Sequence, residues 1–421
     1  MSLINRSQSR KTFHKNVWRS MCWGFFGLLV VLSVDSLSAE LWRRHTIDDS
    51  SRGADGVRLA DVNSDGLPDV CTGWEEGGMI RVYLNPGSKT SRERWPAVTV
   101  GKVRSPEDAV FCDLDDDGNT DVVSCCEGGN RTVYFHWAPD RKRYLDETAW
   151  NTAAVPCTVK QQMWMFCVPL QVDGQHGIDL IVGSKGSGAT IGWLESPENP
   201  RNVDDWKFHP LSSAGWIMSL KTIDMDADGD LDILTSDRKG QLRGVRWLEN
   251  PGVEAVRNGA GWTNHVVGGS GAEVMFLSVA DFNSDGTEDI LCSTRNDHLL
   301  YFERAEKSSN AWTERRTANP FDVAWGKSIS VADMDNDGQL ELVHLCNSQR
   351  FPESPAAAIG QVQKITETEV IVDWQPICEP KVYKFDRSEL IDLDGDGDLD
   401  VLTCEERDNL GVIWYENPHR N

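Results

Sequence analysis

The chain has little that would tie it to a membrane or a nucleic acid. Its one apolar run, Met21 to Val34, is 14 residues long, short of the roughly 18–20 that a bilayer core needs. There is no excess of base. Lys and Arg number 42 against 66 Asp and Glu, a formal charge of −24. That excludes a nucleic-acid binder, which needs a basic surface to displace counterions. No Cys-x-x-Cys occurs, so no structural zinc is expected. Gly-x-Ser-x-Gly, His-Glu-x-x-His and the phosphate loop are missing too, which removes the commonest motif-borne hydrolase and nucleotide chemistries. No helical hydrophobic period runs for a useful length. Glycine (36) and tryptophan (17) are plentiful, so an acidic disordered chain is excluded as well.

The N-terminus reads as an export address. Arg6, Arg10, Lys11, Lys15 and Arg19 precede the apolar run, and small and polar residues follow it to Ala39. This is the order of a signal peptide. Residues 1–39 are expected to be removed, leaving 40–421 as a secreted or periplasmic protein; an uncleaved N-terminal anchor is the alternative. The mature charge would be −28. Ten cysteines would remain in an oxidising compartment, where disulfides form. Many sit on apolar strand patterns, so buried thiols are an equal reading.

Repeats fill the rest. The pattern Asp-x-Asp/Asn-x-Asp-Gly-x-x-Asp/Glu, with an apolar run after it, occurs at 61–69, 113–121, 224–232, 281–289, 333–341 and 392–400. A decayed copy, QVDGQHGID, stands at 171–179. The spacing averages about 55 residues, and seven such units consume the mature chain. Each unit opens on a Trp-led segment and contains short β-branched and aromatic runs separated by turns, four strands per unit. Seven four-stranded units predict an all-β, seven-bladed β-propeller. The chain begins on a Trp-led segment (LWRRHTI, 41–47) and stops just after WYENP (414–418). The N-terminal strand is therefore expected to complete blade seven, removing exposed sheet edges.

Alternating carboxylates that converge on a glycine turn suit Ca²⁺, which takes hard oxygen ligands. The expected ligands are Asp61, Asn63, Asp65 and Asp69 in the first loop, and Asp113, Asp115, Asp117 and Asp121 in the second. The fourth offers Asp224, Asp226, Asp228 and Asp232; the fifth Asp281, Asn283, Asp285 and Asp289. The sixth offers Asp333, Asp335, Asp337 and Glu341; the seventh Asp392, Asp394, Asp396 and Asp400. About six structural Ca²⁺ sites are expected. Loop three has Gln171, Asp173, Gln175 and Asp179, with His176 where the glycine should be, and is expected to hold no calcium. These are not EF-hands, because position 12 never carries the bidentate Glu.

The acidic loops resemble the FG-GAP/VCBS repeat family across essentially the whole mature chain. That family includes the integrin alpha-subunit propeller, calcium-bearing fungal lectins and the propeller of aldos-2-ulose dehydratase. The WLENP and WYENP blocks look most like its secreted bacterial members. The resemblance implies a propeller with calcium loops. It carries over no catalytic residue, and a fold does not settle a function.

The loops join strands one and two, so the opposite face is the place for a ligand. Trp74, Trp164, Trp216 and Trp325 fall outside the repeat positions and map to that face. An indole can stack on the C–H face of a sugar; plugging the channel is the alternative. Basic residues Lys185, Arg238, Arg295, Arg350 and Arg407 map there, one from each of blades three to seven, with Lys327, Arg387 and Arg58 nearby. They fit an anionic glycan, unless local acids pair them. His45, His209 and His265 each follow a repeat tryptophan by three residues and read as structural. His298 and Tyr383 are the weak catalytic pair, as base and acid for an elimination. Three functions compete: carbohydrate binding, a sugar lyase or dehydratase, and an extracellular protein-interaction scaffold.

Overall fold

The computed structural model describes residues 41–418 other than 297, 308, 323, 324 and 408. The expected signal segment, residues 1–39, lies outside the described residues.

Each repeat folds as one four-stranded antiparallel sheet. In blade one Ala54–Ala60, Asp69–Trp74, Met79–Tyr83 and Ala97–Gly101 pair in that order. Five more blades repeat the arrangement. Blade seven supplies Phe385–Ile391, Asp400–Glu405 and Gly411–Glu416, and takes its outer strand, Arg43–Asp48, from the other end of the chain. Arg43 pairs with Glu416 and His45 with Trp414. Each inner strand packs on the next, and the last, Phe385–Ile391, packs on the first, Ala54–Ala60. The protein is a closed seven-bladed β-propeller, as its repeats predict.

Burial explains the strand chemistry. In six blades the second strand is buried over all six residues. A strand covered on both faces by neighbouring blades reads as a continuous apolar run rather than an alternation. Outer strands such as Thr263–Gly268 are largely exposed. Trp42, Trp95, Trp150, Trp206 and Trp262 are buried just ahead of outer strands. Trp312 instead opens its strand and Trp374 lies inside one.

The three repeat histidines are structural. His209 stacks on Trp193 with centroids 4.7 Å apart and meets Glu195 at 2.7 Å. His265 stacks on Trp247 at 4.2 Å and meets Glu249 at 2.5 Å. In each, the outer strand is fastened to the third by one ring stack and one polar contact. The ten described cysteines are unpaired, and all but Cys157 are buried core thiols. Among the described residues no helix is long and apolar enough to cross a membrane.

Candidate functional site

The inner strand of each blade runs from one face to the other, and the two ends carry different chemistry. At one end it enters the acidic loop. There two residues adopt positive φ: position four (Ser64 at 61°, Ser284 at 59°) and the position-six glycine (Gly66 at 85°, Gly286 at 88°). The position-one carboxylate caps the turn. Asp61 accepts from the amides of Asp65 at 3.1 Å and Gly66 at 2.9 Å. Asp113, Asp281 and Asp333 do the same in their loops.

The remaining oxygens converge. Asp113, Asp115 and Asp121 offer oxygens within 4.8 Å of one another, as do Asp224, Asp226 and Asp228, and Asp333, Asp335 and Glu341. Buried oxygens of Asp115 and Asp224, and both oxygens of Asp398, have no hydrogen-bond donor. Clustered carboxylates with orphaned lone pairs fit a hard divalent cation.

The position-nine acid has a second job that the motif did not show. Asp69 accepts from the amide of Val62 at 3.0 Å and of Asn85 at 2.8 Å, tying the loop to the end of the third strand. Asp121, Asp179, Asp232 and Asp400 repeat this brace with their own amide pairs. Asp179 keeps it in the decayed loop. In that loop the Gln171 amide does what a cation would: its Nε2 donates to the carbonyls of Gln175 at 3.1 Å and Gly177 at 2.5 Å. His176 takes the glycine's turn at φ 54°.

At the other end the blades surround a cavity of about 290 Å³. Its floor is one residue per blade: Asp55, Glu107, Met165, Met218, Met275, Lys327 and, beside it, Asp386. Each stands at or next to a register irregularity near the start of its inner strand. Such a bulge re-aims a side chain. Above them stand Glu75, Glu127, Lys185, Arg238, Arg295, Asn347 and Glu406, again one per blade. Blades seven, one and two thus form an acidic half, and blades three to five a cationic half over methionine.

Ion pairs bind the acidic half together. Lys185 lies 2.7 Å from Glu107 and also pairs with Glu127. Lys327 bridges Asp386 at 2.7 Å and Glu406 at 2.8 Å, and Lys384 pairs with Glu406. Burial pushes the Glu107 carboxyl up to about 7, against the pull of Lys185. Burial, then Asp386 and Glu107, hold Asp55 well above the usual carboxylate range.

The cationic half is aromatic. Trp216 lies under Lys185 at 4.7 Å, Arg238 at 4.3 Å and Lys239 at 4.9 Å. Arg295 at 4.4 Å and Arg350 at 4.2 Å lie over the Trp325 ring. Both indoles are half-buried. Trp325 has φ 84°, a conformation that costs a bulky L residue about 1–3 kcal/mol and clusters at functional sites. Arg238 pairs with Glu273 at 2.8 Å. Arg295 and Arg350 have no ion pair with a described carboxylate.

Several sequence expectations need correcting. Trp74 is wholly buried, its indole donating to the Tyr83 hydroxyl at 2.9 Å within the core against blade seven. Trp164 is also buried and donates to the Thr158 carbonyl at 3.1 Å. Neighbouring strand residues face opposite ways, and in blade three the bulge gives the cavity Met165 instead. Arg407 is exposed outside the cavity; Glu406 takes its place. Arg58 and Arg387 lie deeper in the channel, in a second chamber. Tyr383 is buried, its hydroxyl donating to Glu379 at 2.8 Å and accepting from Arg44 at 3.1 Å. His298 opens the third strand of blade five, and neither it nor Tyr383 lines the mouth. Glu75, Glu127 and Glu273 were expected on this face, whereas Asp55, Glu107, Asp386 and Glu406 were missed because each blade supplies only one or two of them.

Similar solved structures include BBS1N in complex with ARL6DN, in crystals soaked with mercury and with lead. The two share 11% and 10% identity, cover 90% and 91% of this chain and 98% of theirs, and have a TM-score of 0.49. An Agrocybe aegerita lectin that recognises non-reducing terminal N-acetylglucosamine shares 13% identity over 77% of this chain and 80% of its own, with a TM-score of 0.42. No curated protein sequence matches the chain. The FG-GAP-like repeat profile matches residues 61–124 and 281–344, two stretches that each run from one acidic loop through the next and into the second strand after it. The chain thus carries FG-GAP-like repeats within a seven-bladed β-propeller.

Proposed function

We propose that the mouth binds an anionic carbohydrate, a uronic-acid or sulfated glycan. The observation that carries this is Trp325. It is held at a strained φ and half-exposed beside two guanidiniums that have no ion pair with a described carboxylate. A sugar ring would stack on the indole while its acid group pairs with Arg295 and Arg350. Carboxylates of the acidic half would accept from its hydroxyls. Calorimetry with uronic, sulfated and neutral oligosaccharides tests this. Uronic or sulfated ligands should bind, and Arg295→Gln should weaken them at least tenfold. Equal binding of neutral sugars, or none at all, overturns it.

The six acidic loops on the far face would hold Ca²⁺ as structural rivets, with loop three empty, and the protein would work outside the cytoplasm. A second reading, a sugar lyase or dehydratase, is favoured by Glu107. A carboxyl pushed up to about 7 is poised for proton transfer near neutral pH. Unsaturated or dehydrated products, read by mass spectrometry, would establish it.

A further inference from the structure

The channel continues past the methionines. Beyond Met218 a second chamber of about 280 Å³ lies between the lower halves of the inner strands. It reaches Ala332 and Leu399, which border the acidic loops. Three cations enter it: Arg58 from blade one, Lys221 from blade four and Arg387 from blade seven.

Their compensation is unequal. Arg58 makes a bidentate pair with Asp108 at 3.0 and 2.7 Å. Arg387 meets Glu389 at 2.7 Å, and its buried Nε has no acceptor. Lys221 has no hydrogen bond and no ion pair among the described residues; burial, with Arg387, pulls its ammonium down to about 8, and Glu389, which also lines the chamber, offsets this only in part. Beside Lys221, Ser278 offers a hydroxyl, and Ser219, Ser328, Ser330 and Ser388 add polar wall. A cation withdrawn from water without a partner is costly. The chamber therefore has charge and donors that its own side chains leave unused.

We propose that this chamber binds a compact oxyanion (phosphate, sulfate or carboxylate), held by Lys221 with Arg387 and Ser278 completing the donor set. The site is separate from the mouth and does not depend on a glycan binding there. Lys221 supplies the point charge, and the guanidinium and hydroxyl direct the oxygens.

The test titrates sodium sulfate and sodium acetate into the calcium-loaded protein by calorimetry, with chloride at matched ionic strength as the baseline. Saturable binding of either probe is expected, and the preferred probe tells a tetrahedral from a planar anion. Lys221→Met should weaken it at least tenfold, Arg387→Gln by less, and Lys221→Arg should retain it. Melting curves establish that each variant is folded. No saturable heat in the wild type overturns the proposal. So does sulfate or acetate binding that survives Lys221→Met, because the anion then sits elsewhere.

Discussion

His45 and Glu416 meet at 2.6 Å although 371 residues separate them in sequence. Arg92, from the loop before the outer strand of blade one, reaches the same carboxylate at 3.1 and 3.0 Å. The His45 ring also stacks on Trp414 with centroids 4.4 Å apart. The seam that closes the ring is therefore the stack-and-carboxylate device of blades three and four, here joining the two ends of the described chain.

The seam should open first in acid. The Arg92 hydrogen bond leads the effects that hold Glu416 down at about 2, and His45 supports it. Burial leads in holding His45 below its usual value. Both groups titrate lower when folded. Their contribution is thus complete above the unfolded values, about 6.5 for His and 4.3 for Glu, and is lost as pH falls. Hydrogen exchange at residues 43–48 should rise on acidification before that of Ala54–Ala60. Glu416→Gln should remove the Glu416 part, about 1 kcal/mol at this partly exposed site. Simultaneous exchange of both strands would refute a separable seam.

The position-nine brace and the metal loop can be separated by mutation. Asp179→Ala would orphan two buried amides, those of Val172 and Ser196, at roughly 2–4 kcal/mol for the pair. Because this loop is expected to hold no metal, denaturation should show the same loss with and without chelator. Asp226→Ala, in a metal-type loop, should destabilise only when calcium is present. A chelator-dependent Asp179→Ala would mean that loop three does hold an ion.

The propeller was legible because its signal is repeated. Seven acidic loops in register, Trp-led outer strands and an orphan first strand all imply one closed ring. The acidic loops were legible for the same reason. The mouth was not. Asp55, Glu107 and Asp386 each look like an ordinary strand-start residue in one blade, and only ring closure brings them together. Trp74 and Trp164 were misplaced because facing depends on alternation and on bulges, which no composition reveals. Of the residues that differ from blade to blade, Trp216 and Trp325 do line the cavity at the end away from the acidic loops.

Chelation should act through the loops alone. Removing calcium would leave the orphaned oxygens of Asp115, Asp224 and Asp398 each facing the other carboxylates of its own loop. The melting temperature should fall sharply in EDTA and recover with Ca²⁺, because an ion that binds only the folded state stabilises it by mass action. Metal analysis of the purified protein should give about six ions, and Gln171→Asp with His176→Gly should raise that number by one. An unchanged melt in EDTA would remove calcium from the account.

Trp325 offers the sharpest test of the mouth, because its structural and binding roles predict opposite signs. At φ 84° a glycine is unstrained, so Trp325→Gly relieves backbone strain while removing the indole beside Arg295 and Arg350. A purely structural tryptophan would melt lower when removed, as Trp74→Ala should, by about 3–5 kcal/mol for a buried indole. A ligand platform would instead lose at least tenfold in uronic-glycan affinity while its melting temperature holds or rises. Trp74→Ala, if folded, should bind normally. A large stability loss in Trp325→Gly with unchanged affinity would make that indole packing, and would leave Arg295 and Arg350 without the stacking surface on which the carbohydrate reading depends.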